Sequence, residues 1–430
     1  KITIPAVKIA DGVISTSQLL NNTVTSANSG LGEDNFQRII KEAYKENIMF
    51  LIQQANLRSS ELKKATSFNN EAKNINLAEN KRITSVEVSA YASPDGGVKL
   101  NEGLAKNREK NTANVVSRNL KRSKLDAPID AKYTAQDWEG FKELVSQSNI
   151  QDKDLILRVL SMYSNPEQRE NEIKNISSVY STLASEILPE LRRTRLTLNY
   201  DIIGKSDEEI ANLAKVNAKE LNVEELLYAA TLTDKADEKA TIYTKATELF
   251  PRDYRGYNNL GKLAFEAGQL AKAESYFNKA YSLEAAPEVS VNLGLIALAK
   301  EDKALAASYL GKAAGAKDFN EAMGNLLVAE GQYDKAVRSF GDIKTNSAAL
   351  AQILAKDYNK AKNTLNNVET ADAYTDYLKA VLGARTNNTS MVIENLGKAI
   401  AQDRSLAKKA ATDLEFSKYF TDAAFAKLIK

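Results

Sequence analysis

Four side chains able to hold a charged ligand lie close together in the sequence, around the loop that follows a strand-like segment. They supply a hydroxyl, a carboxylate, an amide and a guanidinium, and they are Ser93, Asp95, Asn101 and Arg108. A carboxylate and a guanidinium form charge-assisted hydrogen bonds with ligand groups of the opposite charge. This group of residues therefore predicts a ligand-binding site.

Two regular elements must position these side chains. From Ile83 to Ala90, apolar residues alternate with polar ones, which predicts a strand with one solvated face. Pro94 and the two glycines after it end the alternation and predict a tight loop. Apolar residues then recur at helical spacing, which predicts a helix over 101–120 with Asn101 or a neighbour as its cap. Strand, loop and helix would bring the four side chains within reach of one another.

The residue types that are missing argue against catalysis. The chain of 430 residues has neither histidine nor cysteine. This excludes Ser-His-Asp and Cys-His nucleophiles, thiolate zinc sites and a histidine general base. The sequence also contains no phosphate-binding loop, nucleophile elbow or metal-spaced cluster of carboxylates. We therefore expect a non-enzymatic protein with no catalytic residue, metal ligand or cofactor.

Composition restricts the partners. The 58 basic residues nearly balance the 56 acidic ones, which disfavours a sequence-independent surface for nucleic acid. No apolar run reaches the roughly 18 residues that a membrane-spanning helix needs, so we expect no spanning segment. The chain opens on Lys1 and has no signal-peptide core, which suggests a mature or trimmed form without its targeting segment.

An α+β domain is predicted over residues 36–204. A short amphipathic helix at 36–43, a strand in the apolar run 48–52 and a helix after Ser59 precede the strand described above. Together they form a β-α-β unit. Residues 1–35 are turn-rich, with a broken alternation, and are predicted to be an extended segment and linker.

This domain is predicted to be interrupted by a helical insertion at about 133–188. Three segments there have apolar residues at a spacing of three to four, with loop signals between them. The alternation of Leu196, Leu198, Tyr200 and Ile202 afterwards predicts a last strand. Residues 205–430 then turn to helix-favouring composition.

The second half of the chain resembles the tetratricopeptide repeat (TPR) family. The stretch from Tyr254 to Pro287 fits the repeat pattern, with small residues at Gly261 and Ala264 and a large one at Phe277. Two further copies follow in register, degenerate ones come after them, and the last residues read as capping helices. One repeat cannot bury its own faces, so stacked copies predict an α-helical solenoid.

The TPR resemblance implies a protein partner of unknown identity. First-helix side chains line the concave groove of a TPR stack, so we expect partner contacts there. The candidates are Tyr257, Asn258, Lys262, Asn292 and Asn325.

The first half resembles the OmpA-like family, the peptidoglycan-associating C-terminal domain of outer-membrane protein A. Asn101, Leu104 and Arg108 stand at the spacing of that family's Asn, Leu and Arg. The resemblance implies that Arg108 grips a carboxylate of diaminopimelate in the peptide stem of the cell wall. The family's ligand-binding Asp falls on Ser93, and the nearest acid is Asp95. Either Asp95 binds the ligand's ammonium group or the ligand is a different one.

The same resemblance bears on the last strand. The family closes its sheet with an arginine-rich segment, which matches residues 191–200. It implies that Arg193 or Arg195 approaches the ligand. The alternative is that these arginines only solvate the start of the strand.

The resemblances imply an OmpA-like β-α-β sandwich with a helical insertion, followed by an all-α TPR solenoid. The implied function is a cell-envelope binding protein of the periplasm or outer membrane, similar to envelope proteins of Bacteroides-type bacteria, with a lipid-anchored precursor as one form. Its OmpA-like domain would hold peptidoglycan and its TPR array a protein. The alternative is an assembly scaffold whose OmpA-like domain has lost its ligand.

Overall fold

The computed structural model describes residues 15–175 and 177–430, which form two compact units. The sheet unit comprises residues 37–206. The repeat unit comprises residues 207–430 together with residues 15–36. The predicted domain boundaries lie within two residues of these divisions, but residues 15–36 belong to the repeat unit and are not a linker.

The N-terminal segment, residues 15–36, is packed into the repeat unit. It has three helical turns followed by a stretch without regular structure: Thr16–Leu19 and Val24–Ser26 are 3-10 turns, and α1 is Leu20–Thr23. Four apolar side chains of this segment are buried, namely Leu19, Leu20, Val24 and Ala27. The prediction of a linker was wrong for residues 15–35, because these four buried apolar residues are separated by mostly polar ones and form no recognisable pattern. Strand-like alternation predicted nearer the N-terminus lies outside the described residues.

The sheet unit is a four-stranded sheet with two helices between its first three strands. Its elements are β1 Ile39–Met49, α2 Ser59–Leu77, β2 Lys81–Tyr91, α3 Val98–Arg122, β3 Ile129–Thr134 and β4 Arg193–Ile203. The strand order is β1-β4-β2-β3, with β2 and β3 parallel and the other pairs antiparallel.

Alternation along the two central strands builds the core of this unit. Val86 and Val88 of β2 and Leu196 and Leu198 of β4 are each 0% exposed, and they pack with Phe68 of α2. Side chains two apart on a strand share a face, so the alternating sequence buries one face of each strand. The predicted strand at 83–90 and the predicted last strand are confirmed.

The edges of the sheet differ from the sequence-based expectation. Residues 36–43 were predicted as a helix, but β1 begins within them at Ile39, and it ends at Met49 before the exposed Leu51 and Ile52. β1 is an edge strand, paired with β4 alone, and only Ile48 of it is buried. β3 was missed, since five of its six residues are exposed and show no apolar alternation.

The helical insertion is present and has its own core. It consists of α4 Trp138–Gln147, α5 Lys153–Met162, α6 Pro166–Asn175, α7 Ser177–Thr182, a π-helical turn at Leu183–Ile187, and α8 Leu188–Leu191. Phe141, Val145, Ile156 and Leu160 are among its buried residues. The insertion therefore packs as a small helical layer within the sheet unit.

The repeat unit is a series of antiparallel helix pairs. Its helices are α9 Asp207–Val216, α10 Val223–Ala229, α11 Ala236–Leu249, α12 Tyr254–Glu266, α13 Leu270–Leu283, α14 Pro287–Ala299, α15 Lys303–Leu310, α16 Phe319–Ala329, α17 Tyr333–Phe340, α18 Asn346–Leu354, α19 Tyr358–Asn366, α20 Ala373–Arg385, α21 Thr389–Gln402, α22 Ser405–Ala410 and α23 Ala423–Leu428. In the described chain, no helix combines the length and the apolar character that crossing a bilayer requires.

Glycines let the two helices of a pair approach closely. A Cβ atom at Gly261 of α12 would lie 2.6 Å from the ring of Phe277 on α13. Gly324 of α16 faces Phe340 of α17 in the same way, with the added atom 2.8 Å from that ring. Both phenylalanines are at most 1% exposed, so the large side chain of one helix fills the space left by the other. The predicted pairing of small and large residues is confirmed.

Candidate binding sites

Asn101 holds the loop between β2 and α3 in shape. Its side-chain nitrogen donates to the carbonyl oxygens of Ser93, at 2.9 Å, and Gly96, at 2.8 Å. Within the loop the Ser93 hydroxyl donates to the carboxylate of Asp95. Asn101 is only 4% exposed, and Gly97 is the cap of α3 instead. Asn101 is therefore a brace for the loop, which in turn fixes the position of Asp95.

Arg108 lies beneath this loop and is only 1% exposed. Its guanidinium donates to the carbonyl oxygens of Gln54 at 2.9 Å, Tyr91 at 2.8 Å and Leu51 at 3.3 Å. Burial lowers the pKa of Arg108 to about 10, and the nearby positive charge of Arg192 adds to this. Arg108 therefore stays charged at neutral pH and ties β2 to the segment that follows β1.

Arg192 was not among the residues predicted for the site, yet it pairs with Asp95. Its Nη2 lies 3.0 Å from Asp95 Oδ2, and its Nε lies 3.3 Å from the Ser93 hydroxyl. Both charged side chains are mostly buried, with 12% and 15% of their surfaces exposed. The backbone fixes Arg192 as well, because its carbonyl accepts a 2.7 Å hydrogen bond from the N–H of Phe50.

The prediction that Arg193 or Arg195 approaches this loop is not supported. Arg193 forms a buried ion pair with Asp137, at 2.9 Å, and its guanidinium lies over the ring of Tyr91 at 5.0 Å. Arg195 lines the same second cavity as Arg193, between β4 and α4. Arg193 and Arg195 are two residues apart on β4 and therefore share a face, which is the face of this second cavity. Arg192 precedes the strand, so neither Arg193 nor Arg195 takes its place beside Asp95. The arginine that reaches the loop is therefore Arg192, which was not predicted for the site.

The loop pocket is a cavity of about 40 Å³. Its lining includes every ligand residue predicted for the loop and α3, together with Arg192: Ser93, Asp95, Asn101, Leu104, Arg108 and Arg192. Two guanidiniums face one carboxylate in this lining, so the pocket has a net charge of +1. A cavity of this size admits one small polar group of a ligand and not a whole molecule. The described residues contain no cluster of three side chains suited to hold a metal ion.

A second candidate site is the groove, the surface formed by α12, α14, α16 and α18, which the N-terminal segment occupies. Asn292 of α14 accepts from the N–H of Gly30 at 2.6 Å and donates to its carbonyl at 2.8 Å. Asn259 of α12 does the same for Gly32, at 2.8 and 3.0 Å. Asn258 also donates to the Gly30 carbonyl, at 3.0 Å. Three asparagines thus read the backbone of two glycines.

Charged side chains extend these contacts along the segment. Lys262 donates to the carbonyl of Ser29 at 2.7 Å. The carboxylate of Glu321 accepts from the side-chain amide of Asn28 at 2.9 Å. Arg255 donates to the carbonyl of Glu33, at 3.2 Å, on the far side of the glycines. The groove is therefore filled by a peptide that is part of the same chain.

The predicted partner contacts are only partly found in the groove. Asn258, Lys262 and Asn292 line the groove, but there they contact the N-terminal segment of the same chain. Tyr257 instead lies beneath the ammonium of Lys279 on α13, and Asn325 is buried and donates to a carbonyl of its own helix. Arg255, Asn259 and Glu321 were missed, although a polar residue on the apolar face of a repeat helix was a usable signal. The groove is occupied by a segment of this chain, and the binding of a partner protein by these residues stays a prediction.

Glu321 should make the stability of the repeat unit depend on pH. It is 1% exposed, and burial raises the pKa of its carboxyl to about 6. The folded state then holds a proton that the unfolded chain releases above pH of about 4.5, so the free energy of unfolding falls as pH rises towards 6. The loss is about 2 kcal/mol.

Urea unfolding followed by far-UV circular dichroism at pH 4 and pH 7 tests this. Glu321→Gln should be more stable than the wild type at pH 7 and equal to it at pH 4, because both proteins share all other titrating groups. An equal difference at both pH values would contradict the role of Glu321.

Comparison with known families identifies one repeat. The family model for the tetratricopeptide repeat matches residues 254–287, which span α12 and α13. The match identifies one tetratricopeptide repeat, and helix pairs continue on both sides of it. Repeats of this kind imply a scaffold for protein–protein interaction. No curated protein matches the chain.

Several solved structures share a limited similarity with the chain. A chain of the APC/C hetero-tetramer Cut9-Hcn1 is 15% identical, with a TM-score of 0.40, and the match covers 52% of this chain and 46% of that one. A tetratricopeptide repeat protein from Parabacteroides merdae is 16% identical, with a TM-score of 0.35 and coverage of 52% and 89%. Yeast Tom70 is 12% identical, with a TM-score of 0.30 and coverage of 86% and 82%.

Proposed function

We propose that this chain is a non-enzymatic binding protein of the bacterial cell envelope. Its sheet unit would hold the peptide stem of peptidoglycan at the loop pocket, while its TPR array binds a protein partner. The periplasm or the outer-membrane surface is the compartment in which such a protein would meet its ligand.

The observation that carries this proposal is the charge pattern of the loop pocket. Arg108 and Arg192 together attract a carboxylate, and Asp95 supplies an acid for a ligand's ammonium group. Asp95 lies two residues beyond the position implied by the OmpA-like resemblance, but its side chain lines the same cavity as Arg108. A zwitterionic amino-acid centre, such as that of diaminopimelate, has both complementary charges, and the cavity would admit one of its two charged groups.

A second candidate function is an assembly scaffold without a cell-wall ligand. Asp95 already pairs with Arg192, and Arg108 is already bonded to three carbonyl groups. A ligand would have to exchange with the Asp95–Arg192 pair. If the charged groups of the pocket keep these internal partners and bind no ligand, the sheet unit serves only as a packing module.

Sedimentation with purified diaminopimelate-type sacculi distinguishes the two. We expect the wild-type protein to sediment with the sacculi. Asp95→Asn and Arg192→Gln should each weaken binding about tenfold or more, since hydrogen bonds to charged groups contribute roughly 1.5–3 kcal/mol. Asp95→Asn keeps the side-chain shape, Arg192→Gln keeps a shorter polar side chain, and both leave the buried Arg108 in place.

The matched control is Asp130→Asn, which removes one exposed carboxylate from β3 of the same unit. It should sediment like the wild type. If the wild type stays in solution, or if the pocket variants sediment as well as the control, the peptidoglycan proposal fails and the scaffold function is favoured.

A further inference from the structure

The N-terminal segment is bound mainly through its backbone. Asn292 pairs with both polar backbone atoms of Gly30, and Asn259 pairs with both of Gly32. The three asparagines Asn258, Asn259 and Asn292 are at most 2% exposed. Buried amides that lost these partners would remain unsatisfied, which is costly. The groove is thus built around an extended peptide backbone.

The two glycines are a steric requirement of this groove. A Cβ atom at Gly30 would lie 2.7 Å from the Cβ of Glu288 and 3.0 Å from its backbone oxygen. One at Gly32 would lie 2.8 Å from Cγ of Arg255. Atoms so close to the backbone of a repeat helix cannot easily move away. The groove forms hydrogen bonds only with the backbone of Gly30 and Gly32, but it has no room for a side chain at either position. It therefore selects a Gly-x-Gly sequence.

Apolar anchors fix the rest of the segment. Leu19, Leu20 and Val24 are at most 3% exposed and join the continuous core of the repeat unit. The Thr23 hydroxyl accepts a 2.9 Å hydrogen bond from Ser347 of α18. A ligand for this groove thus needs a short apolar helical turn followed, after a few residues, by Ser-Gly-x-Gly in extended form.

We propose that the N-terminal segment is a tethered ligand, and that the groove accepts a partner peptide of the same chemistry only by exchange with it. The partner is therefore a protein segment with an apolar helical turn followed by Ser-Gly-x-Gly. This deepens the role of the TPR array in binding a protein and does not depend on peptidoglycan binding. Failure of one can be distinguished from failure of the other, because the two sites lie in different units.

Tethering decides which peptide occupies the groove. A short tether gives an effective concentration in the millimolar range, so a free peptide at about 10 μM competes at a disadvantage of about 100-fold. The wild-type groove is closed to a dilute partner for this reason. Weakening the tethered copy, without changing the groove, should open it.

Fluorescence anisotropy with a labelled peptide of residues 15–36 tests the exchange. The full chain with Gly30→Ala and Gly32→Ala should release its own segment and bind the peptide with an apparent affinity about 100-fold higher than that of the wild type. Adding Asn259→Ala and Asn292→Ala to this chain should abolish the binding. Gly103→Ala is the matched control, because a Cβ atom there meets nothing within 4 Å, and it should behave like the wild type. A labelled peptide with both glycines replaced by alanine should bind none of the proteins.

Hydrogen exchange on the wild-type chain provides a test that needs no folded variant. The amides of Gly30 and Gly32 should be protected in the free protein. Unlabelled peptide at about 1 mM, close to the effective concentration of the tether, should displace about half of the segment and expose these amides. The alanine peptide should leave their exchange unchanged. If the glycine amides exchange freely without peptide, or stay protected with it, the proposal is overturned. It is also overturned if a folded Gly30→Ala, Gly32→Ala chain binds the labelled peptide no better than the wild type.

Discussion

Replacing Arg108 with alanine should destabilise the sheet unit by about 3–5 kcal/mol, because it leaves buried acceptors without a donor. The guanidinium serves the carbonyls of Leu51, Gln54 and Tyr91, which belong to two separate stretches of chain. It also lies over the ring of Phe50, at 5.0 Å, so its removal leaves a cavity next to an aromatic side chain. Both effects act in the same direction.

Urea unfolding followed by tryptophan fluorescence measures this loss. The sequence has one tryptophan, and Trp138 lies in the sheet unit, so the signal reports on that unit. Arg108→Lys is the control. It keeps the positive charge but cannot reach three carbonyls with one planar group, so an intermediate loss is expected. A loss below about 1 kcal/mol for alanine, the size of one ordinary hydrogen bond, would show that the carbonyls find other donors.

The structural role of Arg108 also governs how peptidoglycan binding should be tested. A protein with Arg108→Ala that fails to sediment with sacculi has lost either a ligand contact or its fold. Asp95→Asn and Arg192→Gln reduce this ambiguity, because the ion pair that they disrupt serves no buried carbonyl group.

The second large effect is expected in the repeat unit, at the contact between Gly261 and Phe277. Phe277→Ala should cost about 3–5 kcal/mol, since the ring is fully buried and the surrounding helices cannot collapse completely into the cavity. Gly261→Ala should cost about 1–3 kcal/mol by overpacking, because its new methyl group meets the ring at 2.6 Å.

The double variant is the informative measurement. With the ring absent, the methyl group of Gly261→Ala enters the cavity, so the combined loss should be smaller than the sum of the two single losses by about 1 kcal/mol or more. Far-UV circular dichroism follows the helices of this unit during urea unfolding. Phe277→Leu, which keeps most of the volume, is the conservative control. Strict additivity would show that the two positions do not share the contact that the structure places between them.

The sequence predicted best where a local pattern decides the structure. The small and large residues of the repeats could be predicted, because they recur along each helix at a spacing of three or four residues, which places them on one face. The asparagine and arginine of α3 were placed together because their spacing on a helix is fixed. Leu100 fits the apolar spacing of that helix but is 53% exposed, because the buried face is centred on Arg108. A charged residue at the centre of a core face is not predictable from hydrophobic periodicity.

Other features depended on contacts between distant parts of the chain. Arg192 reaches Asp95 across 97 positions of sequence, and only the exact start of β4 decides that it does so in place of Arg193. The N-terminal segment was taken for a linker because its asparagines, serines and glycines are typical of loops. The side chains that bind its backbone lie more than 200 positions away in the sequence. A local sequence pattern cannot indicate such contacts.

The path of the N-terminal segment has a consequence for how the array unfolds. Repeat arrays contact only their neighbours, so they normally fray from either end, one repeat at a time. Here the one N-terminal segment is hydrogen-bonded to Glu224 of α10, to Asn292 of α14 and to Lys409 of α22. Loss of one terminal repeat would therefore break contacts that also hold the others. Because the segment contacts repeats along the whole array, we expect the repeats to unfold together as one cooperative unit.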